Sequence, residues 1–304
     1  VAYLWLFVTL PVLGGVVLLR ALVPGLRPTR SGLAAGGALL ALGAVGFYGT
    51  HIEPRWIRTE RVTLHVAALD GGDELRVGVL ADLQTSAIGR YEREAVERLM
   101  AEEPDLILLA GDYFQSDGRD FLASLPELRE LLGRLEAPGG VFLVEGDVDS
   151  PERMAMMTEG QPGLTWLDHE VVTTEVRGHR IRVGGIPVEY WTDEAAGTIA
   201  ELAADPAPDE LRILLSHRPD AAGEVADDGA DLVVSGHTHG GQVQLPILGP
   251  PITMSGVPRS VAAGGLHTLD GVPIYLSTGV GLERHTAPQV RIGARPSVGL
   301  VTLT

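Results

Sequence analysis

The sequence has no cysteine and no lysine, and its first 50 residues hold no aspartate or glutamate. The lack of cysteine excludes a disulfide scaffold, a thiolate metal site and a cysteine nucleophile together. Metal or covalent chemistry therefore falls to oxygen and imidazole groups. The lack of lysine carries no functional weight, since arginine supplies all 23 basic residues. Basic charge is scarce overall: 40 acidic residues leave a formal net charge of −17. Residues 1–50 carry only Arg20, Arg27 and Arg30, so residues 51–304 bear the whole acid excess, 20 arginines against 40 acids. A surface of that sign repels phosphate backbones, which excludes nucleic acid bound through a broad basic patch.

Hydropathy is concentrated at the start. Val1 to Leu19 and Ser31 to Thr50 contain no charged residue. Each run is long enough to cross a hydrocarbon core of about 30 Å at about 1.5 Å per residue. Arg20-Ala-Leu-Val-Pro-Gly-Leu-Arg-Pro-Thr-Arg30 between them reads as a tight turn. The pattern predicts a transmembrane hairpin over residues 1–50, making the chain a multi-pass cell-membrane protein in contact with membrane lipids. A cleavable signal peptide is the rival for the first run; the run shows no basic leader and no Ala-x-Ala-like site. Gly32 and Gly36 form a GxxxG pair suited to close helix approach, within the hairpin or between two copies. Arg20, Arg27 and Arg30 favour a cytoplasmic turn and Arg55, Arg58 and Arg61 favour the opposite, so loop charge does not assign a side.

From about residue 61 short aliphatic runs alternate with amphipathic stretches. Leu75–Ala81, Leu106–Ala110, Val141–Val144, Ile181–Ile186, Leu211–Ser216, Leu232–Ser235 and Ile274–Ser277 read as buried strands. Glu92–Glu102, Phe121–Leu135, Pro151–Glu159 and Thr192–Ala204 read as helices. The alternation predicts one α/β domain over residues 51–304.

The residues following the strands carry the chemistry. They are Asp82-Leu-Gln84, Gly111-Asp112, Glu145-Gly-Asp147-Val-Asp149, His217 and Gly236-His237-Thr-His239. In open α/β sheets, sites gather at the carboxyl ends of strands, so groups this far apart in sequence can converge. A Gly-Asp after one strand, standing alone, is an ordinary turn. Two histidines at i and i+2 after a β-branched strand, followed by two glycines, place two imidazoles near one point with little bulk around them. Carboxylates and imidazoles without thiolates suit a pair of divalent ions, Mn, Fe or Zn. Two such ions activate a water and clamp a phosphoryl oxygen, so the expected reaction is phosphoester hydrolysis. His51, His65, His169, His179, His267 and His285 lack such context and are taken as surface or core residues, with His267 and His285 as pocket candidates. Arg218, next to His217, is a candidate substrate contact for a phosphate oxygen, with a surface salt bridge as the alternative.

These blocks resemble the five signature blocks of the calcineurin-like metallophosphoesterases. The resemblance spans about residues 72–304, and the segments Leu214–Asp220, Ser235–Val243 and Tyr275–Gly281 resemble its bacterial membrane-anchored branch. It implies a four-layer α/β/β/α sandwich behind the two-helix hairpin. It also implies that Asp112 bridges two metals, with Asp82, Gln84 and His239 completing one site and Asp147, His217 and His237 the other.

Two motifs depart from the family pattern, at three residues. Gln84 stands where the family has histidine, exchanging a nitrogen ligand for a neutral carbonyl oxygen. In Gly146-Asp147-Val148-Asp149, Asp147 replaces asparagine and Val148 replaces the histidine taken to protonate the leaving oxygen. General-acid help is worth roughly 10²–10⁴ in rate, so no catalytic side chain is assigned. The expected function is a membrane-anchored metal-dependent phosphohydrolase acting on a phosphodiester or a lipid-linked pyrophosphate. The alternative is a degenerate domain, a pseudoenzyme kept as a binding or regulatory module.

Overall fold

The computed structural model describes the chain apart from residues 1, 24, 26, 27, 70–73, 208, 227, 285 and 286, with the backbone alone for residues 2–8. Arg27 of the N-terminal turn and His285 lie outside the described residues. Among the described residues twelve strands form two six-stranded sheets. The first contains β1 (Arg58–Leu64), β2 (Leu75–Leu80), β3 (Leu106–Leu109), β4 (Val141–Leu143), β5 (Leu164–Trp166) and β12 (Ser297–Leu303), in the order β1-β12-β2-β3-β4-β5. The second contains β6 (Glu170–Val176), β7 (His179–Ile186), β8 (Glu210–Ser216), β9 (Leu232–Ser235), β10 (Gly265–Leu269) and β11 (Val272–Leu276), in the order β10-β11-β9-β8-β7-β6. β2 to β5 run parallel, as do β7, β8, β9 and β11.

Side chains alternate across each strand, and the apolar runs use both faces. Leu106 and Leu108 of β3 join one apolar cluster with Ile213 and Leu215 of β8 and Val234 of β9, so that cluster is fed by both sheets. Ile107 and Leu109 point the other way, against helices α3 (Arg90–Met100), α4 (Gly118–Leu132) and α5 (Pro151–Thr158) through Leu99, Leu128 and Met154. Leu214 and Val233 of the second sheet meet Ala195 and Leu202 of α6 (Asp193–Ala203) in a third cluster. Truncating one such leucine to alanine costs about 2–5 kcal/mol, because the cavity left behind only partly collapses.

All seven predicted strands and all four predicted helices form, with boundaries moved by a few residues. Capping explains the shifts: α4 starts at Gly118 because the Asp117 side chain accepts from the Arg119 and Asp120 amides, and α6 follows Thr192, which accepts from Ala195. Sequence reading misses β1, β5, β6, β10 and β12. β6 carries Glu170, Thr173, Thr174 and Glu175 along a strand that is mostly partly exposed, so it has no apolar run. β12 is apolar, but its place between β1 and β2 is a long-range pairing that no local signal announces.

At the N-terminus α1 (Ala2–Leu19) and α2 (Arg30–Phe47) lie against each other. A methyl group at Gly14 would collide with the Gly36 carbonyl, and one at Gly43 with the Pro11 ring. Gly36 is thus part of the close approach, whereas Gly32 faces Pro28 and Thr29 of its own helix start, and the expected Gly32/Gly36 pair gives way to Gly14, Gly36 and Gly43. The helical run from Arg30 continues to Arg55 through a π turn and a 3-10 turn. Among the described residues this run is long and apolar enough to cross a membrane, and Thr9–Leu22 is a shorter apolar helix.

Candidate metal centre

The carboxyl ends of β2, β3 and β4 in the first sheet face those of β8 and β9 in the second. Among the described residues two groups of ligand atoms result, each within 4.8 Å of one another: Asp147, His217 and His237, and Asp82, Asp112 and His217. His217 belongs to both. His239 belongs to neither group; it is buried behind them, with Nδ1 3.4 Å from the Arg291 guanidinium.

The loops reach this geometry by adopting a costly backbone. Asp82, Gln84, Asp112, His237 and His239 all have φ between +36° and +71°. Non-glycine residues rarely occupy this left-handed region, and clusters of them mark functional sites. Gly111 and Gly146 permit the closest approach of two loops: a methyl group on Gly111 would strike the Gly146 backbone and the His217 ring, and one on Gly146 would strike Asp112. Asp149 ties the same loops together, accepting from the Asp112, Tyr113 and Gly146 amides at 2.8, 3.1 and 2.9 Å. Sequence reading gave Asp149 no role, although it closes the Gly-Asp-Val-Asp run.

Hydrogen bonds orient each donor. His217 Nδ1 lies 2.7 Å from the Ala110 carbonyl, which fixes the proton there and turns Nε2 towards Asp147 Oδ2 at 3.2 Å and Asp112 Oδ1 at 3.7 Å. A backbone carbonyl holding the far nitrogen is the usual support of a metal-binding histidine. His237 donates its amide to Asp82 Oδ1 at 2.9 Å and sets Nδ1 2.7 Å from Asp147 Oδ2 and Nε2 3.0 Å from the Met254 carbonyl. Asp112 Oδ1 accepts from the Val148 amide at 2.9 Å. Gln84 Nε2 donates to Glu283 Oε2 at 2.9 Å; a carboxylate only accepts, so the Gln84 carbonyl oxygen faces the opposite way. Glu283 and Arg284, which donates to the Gln84 backbone carbonyl, come from a C-terminal segment with no motif that marks them in the sequence. Arg218 forms an ion pair with Asp147, and its guanidinium carbon lies 5.9 Å from the centre of the exposed Trp191 ring. A surface cavity of about 370 Å³ is lined by Tyr190, Trp191 and Ile199, and none of the ligand residues lines it.

Electrostatics separate these groups. Burial pushes the Asp82 and Asp149 carboxyls up to about 7, with Asp112 adding repulsion to both. Burial raises Asp112 as well. Burial opposes the His217 imidazolium, yet Asp112, Asp147 and Asp82 outweigh it and push that group up to about 10. Burial would also raise Asp147, but the neighbouring His217 and His237 rings hold it well below the usual carboxylate range. His239 is depressed well below the normal imidazole value by burial and by Arg291. The donor set fits divalent cations: Asp82 Oδ2, Gln84 Oε1 and His217 Nε2 are buried without a hydrogen-bond partner, and all are oxygen or imidazole nitrogen. Of the other histidines, His267 bonds the Gly264 carbonyl and His51 stacks on Phe47, both outside the ligand groups.

The profile of calcineurin-like phosphoesterases matches residues 75–241, which run from β2 to the glycines after His239. The chain belongs to the calcineurin-like phosphoesterase family. Membership brings metal-dependent phosphoester hydrolysis and a divalent metal centre as family properties. An uncharacterized metallophosphoesterase of Bacillus subtilis, YkuE, is 30% identical over 283 residues, covering 90% of this chain and 94% of its own. The phosphodiesterase YaeI of Escherichia coli is 27% identical over 281 residues, covering 90% and 98%. A transmembrane protein with metallophosphoesterase domain from Bos taurus is 29% identical over 210 residues, covering 63% of this chain and 46% of its own.

Proposed function

We propose that this metallophosphoesterase is a membrane-tethered hydrolase of a phosphodiester or pyrophosphate, with a lipid-linked substrate as its natural class. The carrying observation is the convergence of Asp82, Asp112, Asp147, His217 and His237 from five strand ends of two sheets, with buried donor atoms left unpaired. Asp82, Asp112 and His217, assisted by the Gln84 carbonyl, would hold one ion, and Asp147, His217 and His237 the other, with His239 behind them. Bound divalent ions supply activation of water and charge stabilisation at a phosphoryl oxygen.

The protein's own residues set what remains. Asp149 holds the Asp112 and Gly146 loops at a fixed separation, Glu283 aims Gln84, and Arg218 sits beside Asp147 where a phosphate oxygen would enter. Val148 offers only its amide, already given to Asp112, so no proton reaches the leaving oxygen from this position. That favours leaving groups that depart as weak bases, a phosphate or an aryl oxide, over alkoxides. The printed name of YaeI supports the diester class.

We place the tether in residues 1–50, as two apolar helices crossing the cell membrane, and the hydrolase in residues 51–304. The apolar run Arg30–Arg55 and the transmembrane-named Bos taurus relative support membrane association of this region, and the second crossing is our reading of the apolar helix α1 packed against it. The three apolar clusters support a four-layer reading, with the two sheets as inner layers. Val148 favours one competing reading, a degenerate domain that binds and does not hydrolyse. The test is to purify the full chain in detergent, measure bound metal by mass spectrometry, and assay monoesters, diesters and pyrophosphates with Mn²⁺. Turnover of diesters or pyrophosphates with metal bound is expected. No turnover by the parent, with activity appearing in Val148→His/Gln84→His, would establish the degenerate domain instead.

A further inference from the structure

Gly240 to Pro258 contains no charged residue, a 19-residue gap in a region that otherwise carries 20 arginines and 40 acids. This gap is also where apolar side chains face outwards: Ile247 is fully exposed, Leu248 69%, Ile252 68% and Met254 72%. Leu245 and Gly249 exchange both backbone hydrogen bonds, so Pro246, Ile247 and Leu248 form a tight projecting tip. Ile247 has φ +72°, a conformation that β-branched residues avoid. Water gives no reason to display an aliphatic tip at that conformational cost, and exposed apolar patches of this kind mark contact surfaces.

The position of the loop identifies what it touches. The apolar helical run begins at Arg30, and about 20 residues at about 1.5 Å each carry it across a bilayer by Gly49 and Thr50. At that level the Gly49 carbonyl accepts from the Arg291 amide at 2.8 Å, and a methyl group at Gly49 would collide with Val290 and Ile292. Ile292 in turn pairs with Gln242 and Gln244, the residues that launch the apolar loop. Trp56, half exposed with the Arg295 guanidinium 3.9 Å over its ring, lies just beyond the end of the run, the depth at which aromatic side chains border membranes. The far end of the loop reaches the metal centre, where the Met254 carbonyl meets His237 Nε2.

We infer that the Leu245–Met254 loop is a lipid-contacting element that dips into the bilayer surface beside the apolar helix and holds the metal centre against the headgroup layer. The inference rests on the membrane tether proposed above and adds that the substrate is taken from the lipid surface itself. An acidic domain is repelled by anionic headgroups, so an uncharged, aliphatic tip is the part of it that enters this layer at least cost.

Because the chain has no cysteine, Ile247→Cys and a control, Leu122→Cys on α4, each accept one fluorophore in the full-length protein. Reconstituted in phosphatidylcholine vesicles, the label at position 247 is expected to be quenched by acyl-chain nitroxides roughly threefold or more above the control, as for a side chain about 5–10 Å below the headgroups. Equal quenching, with equal access of aqueous iodide, would overturn the inference. So would a label shielded from both quenchers until the protein is diluted in lipid, which would assign the loop to a second copy. In a second arm, Ile247→Ser/Leu248→Ser/Ile252→Ser is expected to lower turnover of a diacylated phosphodiester in vesicles by about tenfold or more, the scale of losing one buried aliphatic side chain. Turnover of a soluble aryl phosphodiester stays within about twofold in the same variant. Equal loss on both substrates, or loss on neither, counts against the lipid role. If the parent turns over no phosphoester, the hydrolase reading fails and the quenching contrast still decides the loop.

Discussion

The two sheets contribute different chemistry to the site. The strand ends of the first sheet supply Asp82, Gln84, Asp112 and Asp147, all oxygen donors, and those of the second supply His217, His237 and His239. The first set alone is a cluster of desolvated acids in which Asp82 is pushed up to about 7 by burial. The second alone is a group of imidazoles, one of them, His239, held neutral by burial and Arg291. The departures from the family pattern, Gln84, Asp147 and Val148, all follow strands of the first sheet, while the imidazole set is intact. In the proposed hydrolase, metal capture and leaving-group protonation would therefore be separable: the imidazoles would serve the first, and Val148 has no side-chain proton to offer the second.

The largest effect is expected from breaking the group shared by both ligand sets. His217→Ala should remove bound metal, measured by mass spectrometry on the purified chain, and lower phosphoesterase turnover by at least about 100-fold, more than losing an outer partner of a ligand costs. A variant that keeps its metal and its rate would separate the two sheets' roles in the wrong place. Val148→His should restore the missing proton donor and raise turnover of alkyl diesters by about 10²-fold, with less gain on aryl diesters, in a steady-state comparison of the two. An equal gain on both substrates would mean that the histidine acts through binding.

Smaller changes should tune the oxygen set. Gln84→His trades a carbonyl for an imidazole, so the preference for Zn²⁺ over Mn²⁺ should rise by about tenfold in a metal-competition experiment. Unaltered selectivity would take Gln84 out of the ligand set. The smallest effect concerns Glu145, whose carboxyl is pushed up to about 7 by burial and by Glu189, Asp168 and Glu152. A raised carboxyl favours the folded state at low pH and loses that contribution as pH climbs from the unfolded value through about 7. Glu145→Gln should thus leave stability unchanged near pH 4 and increase it by about 1 kcal/mol at pH 8, after discounting for solvent screening. Thermal unfolding of the full chain with chelator at the two pH values reads this directly.

The α/β alternation was legible because buried parallel strands such as Leu106–Leu109 are continuous apolar runs, and because α3 carries Ala95, Val96 and Leu99 on one buried face. The strand-end residues were legible because glycines frame them. Glu283, Arg284 and Arg291 were not: each is a single charged residue in an irregular C-terminal segment, and each acts only because the chain returns to the site from far away in sequence. Arg291 is fully buried, donating to the Gly279, Gly281 and Ala294 carbonyls behind His239, with its guanidinium depressed to about 10 by burial. β6 and β12 were hidden for related reasons, one by its mixed polarity and the other by a partner strand more than 200 residues away.

By itself, the sequence determined the donor chemistry. Without cysteine any metal ligands had to be oxygen and imidazole, and the strand-end blocks named the candidates, because residue type and local turn geometry are written into short stretches of chain. The tertiary structure alone decided how those donors pair, that His217 serves both groups, that Asp149 and Glu283 aim them, and that an uncharged aliphatic loop joins His237 to the segment under the apolar helix. Those relations depend on two sheets packed over a shared apolar cluster with their carboxyl ends at one rim, and long-range contact of that kind leaves no periodic trace in the residues that make it.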